Sequence, residues 1–191
     1  EKVIVTVEDL AANNFLVEKS GANYVGRIFS TRGSYKIPHS IELKKDGVIY
    51  ISFTRIKAVP LLMVIKALGL VQDEEIMKAV SKDRVYDGLL LNLFEFVDTK
   101  TQTEAIDFLA RKAGLTQPRE IRIERMKEIL DRYLLPNVGL EEKDRMDKAI
   151  TLSKIVKKFV DVSEGRRKVD DKDHYMNKRM RLSGDLLMDL F

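Results

Sequence analysis

Three carboxylates fall within four positions at Asp170, Asp171 and Asp173. Such a cluster can hold Mg²⁺, which takes one or two protein carboxylates when phosphate oxygens and water complete its shell. Lys172 sits inside the cluster and Arg166, Arg167 and Lys168 stand just before it, so a metal would compete with cations already in place. The alternative, which the local chemistry favours, is a hydrogen-bonded turn whose Asp side chains accept backbone N–H groups and pair with nearby Arg. Just beyond, Lys178, Arg179 and Arg181 can neutralise phosphates, and Tyr175 between the two basic groups can stack on a base. Interleaved acids and bases suit a base edge better than a plain phosphate grip. Asp accepts from exocyclic amines while Arg or Lys holds phosphate or guanine acceptors. A solvated surface is the plain counter-reading of the same charges.

Other chemistry is mostly excluded. Cysteine is absent, which removes thiol nucleophiles, disulfides and thiolate metal sites, and a reducing, cytoplasmic setting is expected. The two histidines are His39 and His174, and no nucleophile elbow, HExxH, GxGxxG or Gly-rich phosphate loop accompanies them. His39 follows Pro38, which predicts a surface or locally bonded imidazole in a loop.

The elements that must position these residues divide into two regions, and an α+β fold is expected, with antiparallel strands followed by a helical bundle-like region. Alternation predicts strands over Lys2–Val7, Phe15–Glu18 and Tyr24–Ser30, with Asn13-Asn14 as a turn and Arg32–Pro38 as a loop. Ile41–Lys44 and Val48–Phe53 flank Asp46-Gly47, the strongest short-range hairpin signal. After about residue 57 the period becomes helical to about residue 160. Helices are predicted over Leu61–Leu68, from an Asp73 cap to Lys82, over Asp83–Val97 and over Thr103–Ala113. Pro118–Leu135 carries an apolar stripe of Ile121, Met126, Ile129, Leu130, Tyr133 and Leu134. Lys143–Val160 repeats the pattern with Met146, Ile150, Ile155, Val156 and Phe159. Residues 161–175 lack a period, and Asn177–Leu190 reads as a last helix.

Hydrophobic residues make up 45% and charged residues 34% of the 191 positions, enough for one domain with a real core and a very polar surface. No apolar run approaches the roughly 18 residues that span a bilayer, so no membrane partner is expected. The net charge of +4 comes from 34 basic and 30 acidic side chains. Lys154–Arg181 alone holds ten Lys/Arg against five Asp/Glu, about the whole surplus. The chain opens on Glu1 without Met or signal peptide and ends abruptly at Phe191, which reads as a cut inside a larger protein.

The run from Asp170 through Asp171-Lys172-Asp173-His174-Tyr175-Met176-Asn177-Lys178-Arg179-Met180-Arg181 to Gly184 and Leu186 resembles a signature of the second-largest subunit of multisubunit RNA polymerases. Val59-Pro60-Leu61 through Lys66-Ala67-Leu68-Gly69 is similar to a segment of the archaeal and eukaryotic subunits. Glu1–Val5 with Ala11, Asn13 and Asn14 looks like the strand that enters the lobe, and Thr103–Leu109 is similar as well. The matches cover nearly the whole chain in the family's order. The resemblance implies the lobe of an archaeal enzyme over residues 1–191, with 170–191 leading back into the neighbouring protrusion. It implies a non-catalytic wall of the DNA cleft beside downstream DNA, offering its outer face to general transcription initiation factors and assembling with other polymerase subunits. The enzyme's Mg²⁺ centre would lie in the largest subunit, leaving this piece without a cofactor. By the same resemblance, Asp173 matches a position that in the family's bacterial members receives an unstacked guanine of the downstream non-template strand, with the positions matching Lys172 and Lys178 lining the pocket. Lys172 stands where the bacterial pattern is apolar, and Met176 where many members have a small residue. Arg179 and Arg181 would either touch DNA or pin the loop to Asp170 or Asp171. A stand-alone Mg²⁺-dependent nuclease or phosphotransferase on Asp170, Asp171 and Asp173, and a pure protein-interaction module, are the alternatives.

Overall fold

A computed structural model describes residues 6–21, 23–33, 35–81 and 87–188. Phe15–Ser20 (β2), Asn23–Arg32 (β3), Tyr35–Leu43 (β4), Ile49–Phe53 (β5) and Ile56–Pro60 (β6) form a five-stranded antiparallel meander in sequence order. A separate two-stranded ribbon pairs Val7–Leu10 (β1) with Lys178–Arg181 (β7). The helices are Leu61–Ala67 (α1), Asp73–Val80 (α2), Asp87–Glu95 (α3), Gln102–Lys112 (α4), Arg119–Tyr133 (α5), Arg145–Ser163 (α6) and Ser183–Met188 (α7). Strands segregated from helices make the fold α+β, as expected.

Alternation in β5 shows why the sheet forms. Ile49, Ile51 and Phe53 turn inward while Tyr50 and Ser52 turn outward, the period-two pattern of a half-buried strand. The Asp46-Gly47 turn closes β4 onto β5: Asp46 Oδ1 accepts from Val48 N–H at 3.0 Å, and Gly47 takes φ 79°, a conformation open to glycine. At β3, Gly26 lies where any Cβ would collide with the Phe15 ring.

The helices cover the sheet through one continuous core. Helix α1 is buried at every position and packs on α4, α6, β5 and β6. A capping box at Thr101 starts α4: Thr101 Oγ1 accepts from Glu104 N–H, and the Glu104 carboxylate accepts from Thr101 N–H. That pairing satisfies two orphan donors at once. Ion pairs then orient the helices. Asp107 of α4 bridges to Arg122 of α5 and to Arg111, and Arg145 of α6 grips Asp131 of α5 with two bonds of 2.7 and 2.6 Å. Buried Lys148 donates to the Leu130 and Asp131 carbonyls at the end of α5, and burial lowers its pKa to about 8.

Several expectations change. Arg32–Pro38 is no loop: β3 runs to Arg32 and β4 begins at Tyr35, joined at Gly33, whose φ of 55° makes the tight turn. Pro38 is tolerated because it lies one residue outside the ladder with β5, which begins at His39–Phe53. His39 is therefore a strand residue and buried. It is bonded locally as expected, through Nδ1 to the Ile37 carbonyl at 3.1 Å, and its Nε2 accepts from Leu135 N–H at 3.2 Å. The ring stacks on Phe53, and burial lowers its pKa to about 4. Asp73 does not cap α2. It is the first helical residue, and its Oδ1 lies 3.0 Å from the Nζ of buried Lys66. The α5 and α6 stripes are narrower than their periodicity suggests, because Ile121, Tyr133, Met146 and Ile150 are exposed. The expected strand over Lys2–Val7 and helix over Asp83–Val97 fall partly outside the described residues. Among the described residues no helix is long and apolar enough to cross a membrane.

Candidate nucleic-acid interface

Asn177 anchors the polar corner near the chain's end. Its carbonyl accepts from Ala11 N–H at 2.8 Å, its Oδ1 accepts from Asn14 Nδ2 at 2.9 Å, and its Nδ2 donates to the Asp171 carbonyl at 2.7 Å. Directly after it, Lys178–Arg181 extends as β7 against β1. The last helix is therefore not continuous from Asn177: a 3-10 turn over Tyr175–Asn177 and a strand precede α7. Pairing with a segment far away in sequence overrides the local helical pattern, because an edge offering free N–H and C=O groups rewards extension.

The aspartates form the hydrogen-bonded turn that local chemistry favours. Asp170 Oδ2 accepts from Val17 N–H at 2.9 Å and from Lys158 Nζ at 2.7 Å, while Asp170 N–H donates to the Val17 carbonyl at 2.9 Å. The loop is thus stitched to the edge of β2. Asp171 Oδ1 accepts from Asp173 N–H at 2.8 Å. Lys158 of α6 is the pinning cation, with Arg167 3.9 Å from the other oxygen. Arg179 and Arg181 do not take that role. Lys158 carries no mark in the sequence that separates it from its neighbours Lys154 and Lys157, and only the α6–β2 packing singles it out. With Asp170 so engaged, the three carboxylates do not present a joint donor set for Mg²⁺. Among the described residues no group of three or more His, Asp or Glu lies close enough to hold a metal.

The five residues singled out for DNA contact fall into two sets. Register places Asp9 opposite Arg179 and Val7 opposite Arg181, with Glu8–Met180 between them and Leu10–Lys178 next beyond Asp9–Arg179. Directly opposed residues share a face and successive ones alternate, so Lys178 points away from Arg179 and Arg181. On one face Lys178 Nζ lies 3.0 Å from Glu8 Oε2 and 3.6 Å from Asp173 Oδ1. These acids raise its pKa, Glu8 most strongly. Asp173 is exposed, and so is Lys172 on the same loop. On the other face Arg179 and Arg181 line a cleft of ≈ 320 Å³ with Asp9, Thr31, Lys36 and Asp185, and Arg181 Nη1 is 4.0 Å from Asp9 Oδ2. Asp9 and Lys36 were missed by the sequence reading, and cross-strand pairing is the signal that finds Asp9. Tyr175 and Met176 at the turn's tip are 78% and 83% exposed, which leaves the Tyr175 ring free to stack.

Residues 8–181 match the family model described as RNA polymerase Rpb2, domain 2. The whole chain is 40% identical to DNA-directed RNA polymerase subunit Rpo2 of Saccharolobus solfataricus, covering 18% of that protein. It is 38% identical to subunit Rpo2N of Halobacterium salinarum, of which it covers 38%, and 35% identical to Rpo2N of Methanococcus vannielii, of which it covers 40%. The chain thus spans less than half the length of the relatives it matches.

Proposed function

The chain belongs to the RNA polymerase Rpb2 domain 2 family, and on that premise we propose that it is the non-catalytic lobe of an archaeal DNA-directed RNA polymerase. In this reading it assembles with other polymerase subunits in the cytoplasm and forms a wall of the DNA cleft beside downstream DNA. Its outer face meets general transcription initiation factors, and Mg²⁺-dependent nucleotidyl transfer takes place in other parts of the enzyme. The observation that carries the proposal is the match of the entire chain to archaeal polymerase subunits. Support for DNA contact is local: Lys172 and Asp173 stand exposed beside Lys178 at an open corner, backed by a turn whose hydrogen bonds hold it in shape. Asp173 can accept from guanine N1–H and N2–H₂, while Lys172 and Lys178 supply positive potential to the phosphates. Arg179 and Arg181, facing the other side of the ribbon, would meet a different stretch of backbone.

The test is anisotropy of a labelled duplex with an unpaired guanine-containing strand, titrated with the chain at two salt concentrations. Weak binding with a log K–log salt slope near −0.9 per phosphate contact is expected. An Asp173→Ala variant should lose the preference for guanine over adenine and leave the slope unchanged. No binding at either salt concentration would support the protein-interaction alternative. Mg²⁺-dependent cleavage of the duplex by the chain alone would support the nuclease alternative and sink the proposal.

A further inference from the structure

A second opening lies on the far side of the Gly33 turn from the ribbon. It is a cavity of ≈ 700 Å³ between the β3–β4 hairpin and the end of α5, with Ile37, Tyr133, Pro136 and Leu140 in its wall and Arg32 and Arg132 at its rim. Arg132 and Tyr133 are shared with an adjoining cavity of ≈ 430 Å³ under the β5–β6 turn, where Thr54, Arg55, Arg125 and Glu128 contribute. The two openings meet at Arg132 and Tyr133, and are taken together as a groove: the first supplies the apolar wall of Ile37, Pro136 and Leu140, the second adds Arg55 and Arg125.

Four arginines (Arg32, Arg55, Arg125 and Arg132) face one carboxylate in this groove. That carboxylate is already shared: Glu128 lies 3.0 Å from Arg125 and 3.1 Å from Arg132. The groove therefore carries a net excess of three positive charges. Both Arg125 and Arg132 side chains remain more than half exposed, so they can turn to a new anion at little cost in packing. Tyr133 is 40% exposed at the junction, although the period of α5 assigns it to the core. An exposed aromatic at the mouth of an apolar socket, ringed by guanidinium groups, has the make-up of a docking hot spot.

We infer that this groove binds an acidic peptide segment of a partner protein, with one bulky apolar side chain in the Ile37–Leu140 socket and flanking carboxylates on Arg32, Arg55 and Arg132. Charge complementarity selects an anionic partner. The apolar wall selects a peptide over a nucleic-acid backbone, because a phosphodiester has nothing to place against Ile37, Pro136 and Leu140. Guanidinium groups take carboxylates in two-pronged geometry, which fits Asp or Glu next to an anchoring Phe or Leu. The inference rests on the chemistry of the groove and not on the DNA-facing role, so either can fail alone.

The experiment is fluorescence polarisation with the whole chain and a labelled decapeptide of Asp and Glu around a central Phe-Leu pair. Saturable, salt-sensitive binding is expected. Replacing Phe-Leu by Ala-Ala, or joining Arg32→Glu to Arg132→Glu, should each weaken it by about tenfold or more. Arg55→Glu on the exposed turn serves as a second variant, and Lys78→Glu on α2 should leave binding unchanged. Absence of saturation overturns the inference. So does a charge-reversed variant that binds within twofold of the parent. A single-stranded oligonucleotide that outcompetes the peptide would overturn it too, by marking the groove as a nucleic-acid site.

Discussion

Replacing Asp170 by Ala removes the clasp that holds the polar corner to the sheet. Val17 is fully buried, so its N–H loses its acceptor with no water to replace it, a loss of about 1–3 kcal/mol. Lys158 keeps its 2.5 Å bond to the Phe15 carbonyl but loses its carboxylate partner, and its side chain is only 21% exposed. That ion pair lies between the surface regime of about 0–1 kcal/mol and the buried one of about 3–5 kcal/mol. Together the two terms put the destabilisation of Asp170→Ala at about 2–4 kcal/mol. With a urea slope of about 2–3 kcal/mol/M, the unfolding midpoint should drop by about 1 M. The chain has no Trp, so far-UV circular dichroism is the readout. Asp170→Asn keeps an oxygen for Val17 N–H and loses only charge, so it should cost about half as much. Adding Lys158→Met to Asp170→Ala should recover part of the loss, since no charge is then stranded. A midpoint for Asp170→Ala within the error of the parent would refute the clasp.

Acid should expose His39. Its folded pKa of about 4 lies below the unfolded value of 6.5, so the unfolded chain binds the proton first. The stability this imidazole contributes is complete above pH 6.5 and is lost as pH falls towards 4, by about 3 kcal/mol in all. Urea unfolding at both ends of that window should show a smaller acid loss in His39→Gln than in the parent, and an equal loss would refute the assignment. Gly26→Ala should destabilise by about 1–3 kcal/mol, because the new methyl group meets the edge of the Phe15 ring. A thermal scan showing an unchanged midpoint would mean that Phe15 swings aside freely.

The parts of the fold legible in the sequence were those with a local cause. Asp46-Gly47 encodes its own turn, Thr101 and Glu104 encode the start of α4, and the apolar run after Pro60, interrupted only by Lys66, encodes the buried α1. The misread parts have distant causes. Lys178–Arg181 is a strand because β1 lies beside it, and no short window contains both partners. His39 can be buried because Leu135, two residues past the end of α5, donates its N–H to the ring. Tyr133 keeps helical period with Met126 and Leu130 yet ends outside the core, since periodicity fixes an angle around the helix but not the width of the neighbour that covers it. At the candidate interface the charged residues themselves were legible. Their division between two faces was not, because alternation appears only once the segment is known to be extended.

A narrow antiparallel band has direction-dependent compliance: it resists shear in its own plane and yields to flexing across it. The ribbon of Val7–Leu10 and Lys178–Arg181 is such a band, and at its inner end it is riveted to the body through Asn14 and Asn177. The chain enters and leaves the band at its other end, at Val7 and Arg181, so a pull along either strand there loads the ladder in shear and is carried to those two asparagines.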